Sequence, residues 1–143
     1  MREIKFRAKA IVNFVTHLDG IVIGDWVYGY YYFDRADMCG VMVTELQEEC
    51  GGVGSGITQC HIKVDYKTVG QYTGLKDKNG KEIYKGDILE YYKELHIIHW
   101  DEHVAGFSWK NCSMNNYLMF RKFIAENCIV VGNQFENPEI KEV

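Results

Sequence analysis

Val69-Gly70-Gln71-Tyr72-Thr73-Gly74-Leu75-Lys76-Asp77-Lys78-Asn79-Gly80-Lys81-Glu82-Ile83-Tyr84-Lys85-Gly86-Asp87-Ile88-Leu89-Glu90-Tyr91-Tyr92 decides the architecture. Asn79-Gly80 separates two short β-prone runs. This pair accepts positive φ at both central positions of a type I′ turn, so it predicts a tight hairpin. Lys76, Asp77, Lys78, Lys81 and Glu82 surround it as a solvated tip. Lys85-Gly86-Asp87 is a second turn signal, and Ile88 to Tyr92 reads as a strand. Gly86-Asp87 before an apolar run often opens the first long strand of small SH3-like barrels, an analogy of fold without function.

Working outward, the start and end of the chain are also extended. Ile4-Lys5-Phe6-Arg7-Ala8 alternates apolar and basic side chains, the pattern of a half-buried strand. Ile129-Val130-Val131 predicts a buried closing strand, and Asn137-Pro138 ends regular structure. The segment Val69 to Leu89 is similar to the central signature of the YopX family of phage and prophage proteins. Met1 to Ala8 resembles the family's opening, and Val130 to Glu139 resembles its close. Lys9-Ala10 departs from the aromatic and acid that often follow the opening. The resemblance implies a strand-rich fold and a phage or prophage setting. It transfers no catalytic residue.

The 143 residues suit one compact domain or two very small ones. A soft boundary falls after Thr68: an irregular strand-rich unit over 1–68, and an SH3-like small barrel over 69–143. The fold class is mainly β, all-β or α+β with one short helix. That helix is expected from Tyr117 to Ala125, capped by Asn115-Asn116. Hydrophobic residues make up 47%, which supports a packed core, and ten Tyr favour strands. The net charge of −4 supplies no global attraction for nucleic acid. No apolar run reaches the roughly 18 residues that would span a bilayer. Early charges argue against a signal peptide. Five cysteines, an odd number without a CxxC pair, point to reduced thiols in a cytoplasm; the phage resemblance implies that of a bacterial host.

Trp26-Val27-Tyr28-Gly29-Tyr30-Tyr31-Tyr32-Phe33 is the most aromatic run. Period two places Trp26, Tyr28, Tyr30 and Tyr32 on one face, with Val27, Gly29, Tyr31 and Phe33 on the other. Bulk on both faces predicts a strand covered twice, by a sheet or another subunit. A nucleobase-stacking platform is the sharper reading. Packing is preferred, because no Arg or Lys lies beside these aromatics in the sequence. Trp26, Tyr28, Tyr30 and Tyr32 are the candidate interface residues.

Gly51-Gly52-Val53-Gly54-Ser55-Gly56 lacks the Gly-Lys-Ser/Thr of a phosphate loop and predicts a flexible loop over 51–56. His96 and His99 are an odd number apart and point to opposite faces of a strand, so they cannot share one metal ion there. His103 and His61 do not complete a site. Cys60 and His61 likewise face apart, which denies the thiol its neighbour as a base. Glu48-Glu49 and Asp101-Glu102 read as loop carboxylates. Lys76, Lys78, Lys81 and Lys85 outnumber Asp77 and Glu82 by four to two, a local charge of about +2 that could contact phosphate or an acidic partner.

The first expectation is therefore a non-enzymatic accessory protein without cofactor or metal, acting through a phage or host protein or by homo-oligomerisation. A nucleic-acid module using the basic hairpin 76–85 is the second reading. An enzyme with an unrecognised site around Cys60 or the histidines is the third.

Overall fold

A computed structural model describes residues 3–15, 20–49, 55–114 and 116–141. The chain divides into two compact units, Ile4–Gln71 and Tyr72–Val143, the latter taking in Met1–Glu3. The division falls three residues past the boundary expected at Thr68. The described residues are mainly β, antiparallel throughout, with helices of a single turn.

The first unit contains β1 (Phe6–Lys9), β2 (Phe14–Val15), β3 (Gly20–Ile21), β4 (Trp26–Asp34), β5 (Cys39–Glu49) and β6 (Ser55–Val64). Their sheet runs β6-β5-β4-β1, and β2 and β3 form a separate hairpin. Register builds the core. Ala8 opposes Val27, Tyr31 opposes Met42, and Met42 opposes Ile62. Opposed residues in an antiparallel pair share a face, so one row of side chains is buried together. Ala10, Ile21 and Val64 complete that core, with Phe6, Val12 and Phe14 packed against it. Gly29 sits where β4 passes from pairing with β1 to pairing with β5, and a Cβ there would run into the Val43 carbonyl.

The β5–β6 ladder extends to Glu48 opposite Gly56 and Glu49 opposite Ser55. Ser55 and Gly56 thus belong to a strand, because the ladder recruits them, and not to the loop expected over 51–56. The rest of that glycine run lies outside the described residues.

β7 (Gly70–Lys76) begins in the first unit and continues into the second. Next come β8 (Glu82–Tyr84), β9 (Asp87–Tyr91), β10 (Glu94–Asp101), β11 (Gly106–Asn111), β12 (Tyr117–Met119), α1 (Lys122–Ala125), β13 (Ile129–Asn133) and α2 (Pro138–Lys141). The five-stranded sheet has the order β12-β11-β10-β9-β13. Its buried side holds Leu89, Ile98, Trp109, Phe120 and Cys128, with Ile83 and Ala125 closing over them.

The expected closed barrel is not observed. Among the described residues nothing pairs β12 with β13; β12 is a three-residue strand paired with β11, so the sheet stays open. The helix expected from Tyr117 is also corrected. Tyr117, Leu118 and Met119 pair with Lys110, Trp109 and Ser108 as a strand. Only the last turn is helical, and its N-cap Arg121 makes no side-chain capping bond. The Asn116 carbonyl accepts from the Asn111 N–H instead of opening a helix. Asn115 lies outside the described residues.

Candidate functional site

The family-like stretch proves to be a frame. The hairpin between β7 and β8 forms, but it is not type I′: Gly80 has φ +82°, and Asn79 is absent from the positive-φ residues. The Gly80 N–H donates to the Asp77 carbonyl at 3.0 Å and the Asp77 N–H to the Lys81 carbonyl at 2.8 Å. This is a three-residue loop, a type I turn followed by glycine in the left-handed region.

Asp77 explains the preference. It is buried, and its carboxylate accepts from the N–H groups of Asn79 (2.8 Å), Lys81 (2.9 Å) and Val130 (3.0 Å). The solvated tip read from the sequence therefore has an acid turned inward, tying the turn to β13. Asp87 is also buried and accepts from the Tyr84 N–H at 2.8 Å, which shapes the Lys85-Gly86 turn. Gly86 has φ +93°. Lys76, Lys78, Lys81 and Lys85 are all exposed. Glu82 is half-buried and accepts from the Tyr84 hydroxyl at 2.8 Å.

The second candidate surface is the outer face of β4. Alternation sends Val27 inward at 3% exposure and leaves Tyr28, Tyr30 and Tyr32 at 46%, 69% and 42%. The double cover expected for this strand is not seen within its unit. Only the face carrying Val27 and Tyr31 is packed against the core. The Tyr32 hydroxyl lies 3.2 Å from His61 Nδ1, a residue of β6. Beside the row, Tyr28, Tyr30, Val43, Glu45 and Gln59 line an open depression of about 340 Å³.

Trp26 is half-buried at one end of the row. The Arg7 guanidinium lies 4.5 Å and the Lys9 ammonium 5.1 Å from its ring centre, both delivered by β1 opposite Tyr28 and Trp26. Neither cation neighbours the aromatics along the chain. These two are close across the sheet, where linear sequence gives no sign of them. Alternation in Lys5-Phe6-Arg7-Ala8-Lys9 was the available signal, without a partner strand to attach it to. Lys63 on β6 is exposed and bound to Asp37 at 2.8 Å. That bond raises the lysine pKa and lowers the carboxylate's.

The groups that suggested chemistry are dispersed. Cys60 is buried in the first core, while His61 faces out. His96 is buried and stacked on Trp109 with ring centres 4.1 Å apart. His99 lies edge-on to Tyr117 at 4.8 Å. Burial pulls both imidazoles below their ordinary pKa. Burial, helped by the charge of Asp77, pushes the Cys128 thiol up to about 11, away from the reactive thiolate. Asp101 accepts from the His103 N–H and shapes a turn. Among the described residues no three His, Cys, Asp or Glu side chains are grouped to hold a metal ion. No described helix is long and apolar enough to cross a membrane.

Comparison with known proteins agrees with the frame. The family model for "YopX protein" matches residues 23–142. Among solved structures, the crystal structure of protein EF1440 from Enterococcus faecalis is similar, with 25% identity and a TM-score of 0.58. The match covers 99% of this chain and 100% of that one. No curated protein matches the chain.

Proposed function

The chain belongs to the YopX protein family, and from that premise we propose that it is a phage- or prophage-encoded accessory protein that acts by binding a phage or host protein, not by catalysis. The working setting is the bacterial cytoplasm. One observation carries this reading: three tyrosines stand exposed at alternate positions along one face of a single strand. Tyrosine offers a large contact area with few rotatable bonds, so such a row favours docking. The half-buried Trp26 and its stacked cations give the row a fixed end. In the second unit, β9 to β13 follow the strand order of an SH3-like barrel, left open, and this unit serves as a scaffold.

The test is affinity capture from induced host cells with the full chain and a Tyr28→Ser, Tyr30→Ser, Tyr32→Ser variant. A specific protein retained by the parent and reduced at least about tenfold on the variant is expected, with unchanged circular dichroism; truncating hot-spot aromatics has effects of this size. Equal retention by both proteins overturns the choice of surface.

A nucleic-acid reading also has a specific observation behind it. All four hairpin lysines are exposed, while Asp77 points inward. Labelled single-stranded oligonucleotides at low salt distinguish the readings. Salt-dependent binding that vanishes when Lys76, Lys78, Lys81 and Lys85 become Glu would replace the protein-binding proposal.

A further inference from the structure

The second unit ends in a strand edge that matches itself. β12 is the last strand of its sheet, and among the described residues no strand pairs with its outer side. The ladder's phase follows from its flanking bonds. The Asn111 N–H donates to the Asn116 carbonyl, and the Phe120 N–H donates to the Phe107 carbonyl. With Trp109 opposite Leu118, hydrogen bonding alternates through the pairs 111/116, 109/118 and 107/120. The N–H and C=O of Leu118 therefore point toward β11, and those of Tyr117 and Met119 point to the open edge.

A two-fold axis through Leu118 brings a second copy's edge into register. Tyr117 then exchanges both backbone bonds with Met119 of the other copy, and Met119 with its Tyr117. The two Leu118 residues face each other as a non-hydrogen-bonded pair. Every side chain brought together is apolar or aromatic: Tyr117, Leu118 and Met119 are 49%, 53% and 51% exposed. The strand carries none of the lysines or prolines that usually protect a free edge. Beside it, Leu118, Met119, Phe123 and Ile124, with Arg121 among them, line a mainly apolar groove, and Phe123 is 69% exposed.

Four large side chains, each about half open, present on the order of 400–500 Å² per copy. Doubled, this is roughly 800–1,000 Å², at or just below the lower limit for a specific interface, which suits a weak association and not a permanent one.

We infer that the β12 edge is a self-association site, at which two copies of this chain join their five-stranded sheets antiparallel about Leu118 in a weak, concentration-dependent dimer. Self-pairing is preferred to capture of a foreign strand because the edge satisfies its own hydrogen bonds and apolar contacts under one symmetry operation.

The experiment is sedimentation of the full chain over a range of concentrations, combined with cysteine cross-linking. Leu118→Cys places two thiols across the axis at a separation a disulfide spans. Tyr117→Cys places its two thiols on residues roughly 8 Å apart, out of reach, because the register offsets them by two positions. The expected results are a sedimentation coefficient that rises with concentration and oxidised dimer from Leu118→Cys at several times the yield from Tyr117→Cys. Peptide mapping should find the 118–118 bond. Leu118→Lys should hold the protein monomeric, with its thermal midpoint recorded alongside. A parent protein that stays monomeric up to hundreds of micromolar overturns the inference. So do equal yields from the two cysteine variants, a result that does not depend on whether Leu118→Lys folds.

Discussion

Asp77 carries more structure than its place beside Asn-Gly suggests. Its carboxylate meets three backbone N–H groups, two in its own turn and one fifty-three residues away at Val130. A buried charge is tolerated only when its oxygens are satisfied, and these donors satisfy them. Asp77→Ala leaves the donors without that acceptor and should lower unfolding free energy by about 2–4 kcal/mol, read from the urea midpoint. Asp77→Asn keeps one acceptor oxygen and should cost roughly half as much. Equal stability of Asp77→Ala and the parent would show the turn to be held by its backbone alone. The sequence marked this residue as a turn acid but not as buried, because the donor from Val130 arrives through folding.

At the scale of elements, the hairpin shows how far local chemistry reaches. Asn79-Gly80 correctly marked the bend, yet only glycine takes positive φ. The Asp77 side chain stabilises a type I turn, and the left-handed residue follows it. Gly80→Ala meets no atom within 4 Å, so its cost is conformational and should be about 1 kcal/mol, seen as a lower thermal midpoint. Asn79→Ala should cost less, because its backbone is not left-handed. The reverse order would restore the type I′ assignment. Tyr117 to Met119 teaches the opposite lesson. The helix expected there was overruled by pairing with β11, since a strand satisfies its backbone by contact with a neighbour.

At the scale of the molecule, each unit has its own core, and the buried His96 and half-buried His99 both belong to the second. His96 is packed among Trp109, Tyr91, Asn111 and Glu94. Burial lowers its pKa, while Glu94, 3.9 Å from Nε2, opposes the shift without cancelling it. His99 is lowered in the same way, with Asp101 opposing. For a histidine with a depressed folded value, the unfolded chain binds protons first. The stabilising contribution of the neutral ring is full above the unfolded pKa of about 6.5 and is lost as pH falls through it toward the folded value. The urea midpoint should therefore drop between pH 7 and pH 5, and His96→Phe should reduce the slope. A midpoint that stays flat or rises on acidification would refute this.

From the sequence alone came the strand-rich class, the family, the positions of the bends and the division of β4 into two faces. The family came from the resemblance of whole sequence blocks; the rest follows from rules that act over a few residues: glycine's freedom, alternation along a strand, and the turn chemistry of Asn and Asp. Tertiary structure alone decided that the tyrosine face stays open, that Arg7 and Lys9 stack on Trp26, that Asp77 is buried, and that the second sheet ends at β12 without closing. Those outcomes depend on which strands become neighbours. That is settled by burial and hydrogen bonding between residues far apart in the chain, and no short window of sequence contains both partners.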